Sequence, residues 1–137
     1  TLEFDPNSPC IWTKGITRIE CPVRHGEGRF VMPSSSDLDE LANNNQIVTR
    51  YTDPTTEPGS GLTDEDLPFP ICPNGSIRNI AGICDPTGLI FGLMPHPEAA
   101  YATFLHPNHT RGEVTDHILT ESMKIFTNAV QYAKENL

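Results

Sequence analysis

Residues 89–100 read L-I-F-G-L-M-P-H-P-E-A-A, and no other stretch of the chain restricts its fold so tightly. An apolar run of strand length (Leu89, Ile90, Phe91, Leu93, Met94) stops at a histidine held between two prolines. Pro97 biases His96 toward an extended backbone, because its ring clashes with a helical conformation in the preceding residue. Pro97 itself suits the first position of a helix, where a missing N–H goes unused. The stretch therefore predicts a buried strand, a stiff turn carrying His96, and a short helix that opens with Glu98. In open α/β sheets ligands bind beyond the carboxyl ends of strands. His96 and Glu98 are thus a candidate catalytic pair.

A chain of 137 residues is the size of one domain and can bury a real core. Its net charge of −9 argues against nucleic acid or an anionic membrane surface as the main partner. No apolar run approaches the roughly 18–20 residues of a membrane span. Residues 1–9 are polar and do not read as a signal peptide. The four cysteines are accordingly expected to be free thiols of a cytoplasmic protein rather than two disulfides.

Strands are expected at residues 2–4, 16–23, 29–32 and 47–51, the last rich in Val, Thr and Tyr. Ser36 is placed to cap a brief helix over 37–42. Residues 52–70 are rich in Pro, Gly, Thr and acids, a long connection of the kind that is often functional or mobile. Residues 77–84 and 89–94 read as a β-hairpin joined by Asp85-Pro86-Thr87-Gly88. Residues 113–135 carry apolar side chains at helical spacing, with Thr110 and Glu113 positioned as a capping box.

An imidazole works as a general base near neutral pH when a partner fixes its tautomer and stabilises its cation. Glu98 supplies that partner if the turn folds it back; otherwise both side chains are simply solvated. His25-Gly26-Glu27-Gly28 permits close backbone approach to a ligand, or is a plain tight turn. Pro73-Asn74-Gly75-Ser76 reads as a plain turn. His96, His106 and His109 lack the spacing of a zinc site, and no metal is expected. None of Cys10, Cys21, Cys72 and Cys84 sits in the glycine-flanked strand-to-helix elbow that nucleophiles favour.

Four motifs together give a resemblance: W-T-K-G-I (12–16), P-V-R-H-G-E-G-R-F (22–30), P-N-G-S with I-A-G-I (73–76 and 80–83), and G-L-M-P-H-P-E (92–98). In this order they resemble the class I glutamine amidotransferase family, most closely its branch serving phosphoribosylformylglycinamidine synthase. The resemblance implies a flavodoxin-like three-layer α/β sandwich, of which residues 1–137 would be the C-terminal part of one domain, with mixed strands, a hairpin and a long C-terminal helix. It implies that His96 is the base of a Cys-His-Glu triad, oriented by Glu98, and that the backbone at His25, Gly26 and Glu27 lines the glutamine pocket. It also implies ammonia transfer to a synthetase subunit that uses ATP and Mg to convert formylglycinamide ribonucleotide to the amidine. A small bridging subunit is a further implied partner, and no cofactor is implied on this chain.

Two departures stand out: alanine at position 99, where many members carry arginine, and Arg24 before the H-G-E-G turn. The family's N-terminal half with its nucleophile elbow has no counterpart in this sequence. Residues 1–137 alone are therefore expected to lack glutaminase activity and to associate with themselves or with that half. The competing readings are an amidotransferase-like interaction domain without catalysis, and a glutaminase serving another synthetase.

Overall fold

A computed structural model of the chain describes residues 1–24, 26, 28–107, 109–111 and 120–136. Among them, five strands form one sheet: β1 (Leu2–Phe4), β2 (Arg18–Ile19), β3 (Ile47–Tyr51), β4 (Ile80–Cys84) and β5 (Phe91–Leu93). Their order is β2-β1-β3-β4-β5, and every neighbouring pair runs antiparallel. The expectation of mixed strand directions is corrected accordingly. β3 matches its expected bounds, and all five of its residues are buried.

Successive strand residues point to opposite faces, and cross-strand partners share a face, except that β3 shifts register around Thr49 where it pairs with β4. Leu2 pairs with Ile19 and Tyr51, and these apolar side chains share a core cluster with Phe4, Val48 and Ala81. Ile125 of the helix α2 (Met123–Asn136) closes that face. On the other face Glu3 lies opposite Arg18 and Arg50, and Arg50 lies opposite Ile80. Ile80 packs with Ile47 and with Leu38 of the helix α1 (Ser35–Asn43). The fold is α/β, with one helix against each face of the sheet.

Several expectations need correction. The 16–23 strand is only Arg18–Ile19, because Pro22 has no N–H for a ladder and its carbonyl is used elsewhere. Residues 29–32 form no strand: the Phe30 N–H goes to Ser76 Oγ at 2.8 Å and its carbonyl accepts from Ile77 N at 3.1 Å. The cap of α1 is Ser34, which accepts the Asp37 N–H at 3.2 Å, not Ser36. A 3-10 turn (Ile77–Asn79) precedes β4, shortening the first hairpin strand. Residues 120–122 are not helical and α2 starts at Met123; the Glu113 end of the predicted capping box lies outside the described residues. Leu89 and Ile90 are exposed rather than buried, since β5 is an outer strand.

The hairpin itself stands, with Cys84 opposite Phe91 and Gly82 opposite Leu93. Its turn is held by Asp85, which accepts from Thr87 N, Thr87 Oγ1 (2.6 Å) and Ile90 N (2.9 Å). These bonds, the Thr87 hydroxyl foremost, hold the Asp85 carboxyl below its ordinary value. Gly88 adopts φ +72° and lies so close to Pro9 that a Cβ would stand 2.2 Å from its carbonyl oxygen. Only glycine fits there.

The 52–70 connection carries no helix or strand but is clipped to the rest of the fold, among other places by Arg18, Asn79 and the Arg50–Asp64 ion pair at 2.8 Å. Arg18 donates to Thr56 O (2.6 Å) and Glu57 O (3.2 Å) while its Nε bonds Glu3 Oε2 at 2.6 Å. Asn79, fully buried, donates to Glu65 O at 2.7 Å and accepts the Leu67 N–H at 2.8 Å.

Candidate active site

β5 ends at Leu93, and the Met94 N–H still bonds the Ala81 carbonyl of β4 at 3.0 Å. The chain then turns at Pro95, which is fully buried. His96 follows with an extended backbone (φ −111°, ψ 85°), and Pro97 opens a 3-10 turn over Pro97–Ala100. The turn and short helical segment predicted for this stretch are therefore present, but the strand is shorter than predicted, Phe91–Leu93, and part-exposed rather than buried. The prolines on either side lack N–H groups, so His96 carries the turn's backbone donor there. It donates to the Pro22 carbonyl at 2.9 Å, and its own carbonyl accepts from Ala99 N at 3.1 Å.

This turn brings Glu98 back onto the imidazole. His96 Nδ1 and Glu98 Oε1 are 2.6 Å apart. A carboxylate acceptor requires Nδ1 to carry the proton, which leaves the Nε2 lone pair to act as a base. Among the described residues Nε2 has no hydrogen-bond partner. The His96 hydrogen bond, with a smaller contribution from the Arg24 charge, holds the Glu98 carboxyl below its ordinary value. The side chains remain 37% and 60% exposed, on a groove of about 260 Å³ walled by Trp12, Phe91, Leu93, Ile125 and Phe126. A larger hollow of about 740 Å³, lined by Ile19, Cys21, Ala102 and Leu105 among others, does not include the pair.

All four cysteines are free thiols. Cys10, Cys72 and Cys84 are buried. Burial pushes the Cys10 and Cys84 thiols up. Cys21 is pushed up to about 12, first by burial and then by the charge of Glu98. A nucleophilic cysteine needs an accessible, acidified thiol, and none of the four offers one. Among the described residues the histidines do not gather: His106 Nε2 bonds Glu20 Oε2 at 2.5 Å, and no three potential ligands there could hold a metal ion.

Of the predicted pocket residues, His25 and Glu27 lie outside the described residues. Gly26 is exposed, and nothing stands within 4 Å of where its Cβ would be. The P-N-G-S turn, read from its residues as a plain turn, makes contacts that reading missed. Its Ser76 accepts the Phe30 N–H at 2.8 Å, and Asn74 Nδ2 donates to the Gly28 carbonyl. The signal available was the joint occurrence of H-G-E-G-R-F and P-N-G-S, which are in fact hydrogen-bonded to each other.

A family model for the CobB/CobQ-like glutamine amidotransferase domain matches residues 1–133. The chain belongs to this family. Relatives within reach include the phosphoribosylformylglycinamidine synthase subunit PurQ of Methanococcus maripaludis, 39% identical over 134 residues, covering 92% of this chain and 47% of the relative. The protein of the same name from Dehalococcoides mccartyi is 37% identical over 134 residues, covering 98% of this chain and 47% of the relative. That from Treponema denticola is 46% identical over 99 residues, covering 72% and 36%. The chain spans about half the length of the curated relatives it matches. In an amidotransferase, a histidine with its Nδ1 locked on a carboxylate and Nε2 open is the arrangement a thiol nucleophile requires.

Proposed function

We propose that this chain is the C-terminal part of a flavodoxin-like, three-layer amidotransferase domain. That domain is the glutaminase component of phosphoribosylformylglycinamidine synthase in the cytoplasm. The 2.6 Å bond between His96 Nδ1 and Glu98 Oε1 is the observation that carries the reading.

In this mechanism His96 Nε2 takes the proton of a cysteine thiol supplied from outside these 137 residues. The sulfur attacks the side-chain carbonyl carbon of glutamine, and a tetrahedral oxyanion forms. The C–N bond then breaks as His96 returns the proton to the leaving nitrogen, giving ammonia and a thioester. Water, deprotonated by the same nitrogen, attacks the thioester carbon; glutamate leaves and the thiol is restored. Glu98 stabilises the imidazolium in both halves. The backbone at His25, Gly26 and Glu27 holds the glutamine. The ammonia passes to a synthetase subunit that binds ATP and Mg and acts on formylglycinamide ribonucleotide, with a small bridging subunit completing the complex. The outer edge of β5 and the exposed Leu89 and Ile90 beside it support docking of further protein there.

The test uses the assembled synthase. His96→Ala is expected to abolish glutamine-dependent amidine formation while ammonia-dependent formation persists. Retention of glutamine-dependent turnover in His96→Ala would overturn the assignment.

A further inference from the structure

Asn74 lies outside the catalytic pair, yet it joins three elements that a glutamine pocket would need in fixed relation. Its Nδ2 donates to the Gly28 carbonyl and to Tyr51 Oη at 3.3 Å, and lies 3.7 Å from Met94 Sδ. Its Oδ1 accepts the Ser76 N–H at 3.1 Å and lies 3.8 Å from Cys72 Sγ. Gly28 ends the H-G-E-G turn, Tyr51 ends β3, and Met94 stands two residues before His96. Met94 is itself tied to the sheet through Ala81.

The 22–28 segment is thereby held at both ends. At Pro22 its carbonyl accepts the His96 N–H at 2.9 Å. At Gly28 its carbonyl accepts from Asn74. One anchor is the backbone of the base, and the other is a side chain braced on the strand that leads to the base. We infer that Asn74 is a positioning residue for glutamine binding: its amide fixes the Gly28 end of the H-G-E-G turn relative to His96. This inference rests on the proposed function, in which that turn holds the substrate.

The chemistry distinguishes this role from ordinary turn capping. The bond from Ser76 N–H to Oδ1 is one that aspartate would make equally well. The donors on Nδ2 are what only the amide supplies. Gly75, at φ +66°, lets the turn present Asn74 toward Gly28. Asn74→Asp keeps shape and cap, removes the donors and sets a carboxylate against the Gly28 carbonyl.

The experiment compares wild type, Asn74→Asp, Asn74→Ala and His96→Ala in the assembled synthase. Steady-state kinetics with glutamine and with ammonia are paired with inactivation by 6-diazo-5-oxonorleucine, a glutamine-shaped electrophile, and by iodoacetamide. Both Asn74 variants are expected to raise KM for glutamine by about 10-fold or more, the scale of one well-placed hydrogen bond. Their kcat, ammonia-dependent rate and reaction with iodoacetamide should stay near wild type, and saturation by the glutamine analogue should weaken in step with KM. An unchanged KM in both variants overturns the inference, as does a fall in kcat and melting temperature without a rise in KM. If His96→Ala retains glutamine-dependent turnover, the underlying assignment fails; if only the Asn74 variants behave as wild type, this inference alone fails.

Discussion

The buried ion pair beneath the 52–70 connection offers the most quantitative test of the fold. Glu3 is wholly buried, and its carboxylate accepts from Arg18 Nε at 2.6 Å and from the Gly59 N–H. Arg18 is 14% exposed at the side chain and has three further bonds, to Thr56 O, Thr56 Oγ1 and Glu57 O. Removing one partner of a buried pair leaves an uncompensated charge and costs about 3–5 kcal/mol. Arg18→Met strands the carboxylate with only the Gly59 amide. Arg50, its cross-strand neighbour with an unbonded buried Nε, can turn toward it, so the low end, about 3 kcal/mol, is expected. Glu3→Gln keeps one acceptor and leaves Arg18 its carbonyl partners, so about 1–2 kcal/mol is expected. Replacing both residues together, Glu3→Leu with Arg18→Met, removes both charges and should be less destabilising than Arg18→Met alone. The assay is urea unfolding of the full-length protein with matched m-values, with Glu3→Leu alone completing the double-mutant cycle. Limited proteolysis within 52–70 should accelerate in Arg18→Met. The reasoning is refuted if Arg18→Met lies within about 0.5 kcal/mol of wild type, the range of a solvated surface pair, or if the double variant is worse than Arg18→Met.

Gly88→Ala is expected to destabilise by at least about 1–2 kcal/mol, the cost of a left-handed alanine, before the contact with Pro9 is counted; thermal or urea unfolding reads it. With its pKa pushed up to about 12, Cys21 carries roughly one part in ten thousand thiolate at pH 8. Mass-resolved alkylation at that pH should find it unmodified on the timescale on which an exposed peptide cysteine reacts. Glu98→Gln should lower glutamine-dependent kcat by about 10- to 100-fold, the scale of a charge-assisted hydrogen bond, with ammonia-dependent turnover intact. The His96 hydrogen bond lowers the folded Glu98 carboxyl from 4.5. Its stabilisation is thus complete above 4.5 and lost as pH falls through the lower folded value; carboxyl NMR titration should find the midpoint below 4.5.

What could be read from the residues was local chemistry with one strong determinant. β3 is rich in β-branched side chains, the 85–88 turn pairs a proline with a glycine, and the H-P-E turn is fixed by its prolines. What could not be read was competition for backbone groups over long range. Residues 29–32 have strand composition, but the partner of Phe30 is the hydroxyl of Ser76, 46 positions away. The three serines at 34–36 are equivalent as caps by composition, and which of them caps depends on where Pro33 releases the chain. The 52–70 connection looks loose by composition, yet Arg18 of β2 and Asn79, just before β4, hold its carbonyls. At the site, the His96–Glu98 pair was legible because it is two residues apart, and the Asn74–Gly28 bond was not.

Three prolines around the His96–Glu98 pair explain why so short a motif can be rigid. Pro95 and Pro97 remove the backbone donors on either side of His96, and Pro22 presents a carbonyl whose own residue has no N–H to enter a ladder. The His96 N–H and the Pro22 carbonyl are thereby matched at 2.9 Å, with neighbouring alternatives removed from both sides. That bond sets the backbone of His96, and the 3-10 turn beginning at Pro97 sets the reach of Glu98 to Nδ1. A base must be held within about half an ångström of its working position to be effective. Loss of the carbonyl at Pro22 or of the turn at Pro97 would therefore move the imidazole before it altered its chemistry.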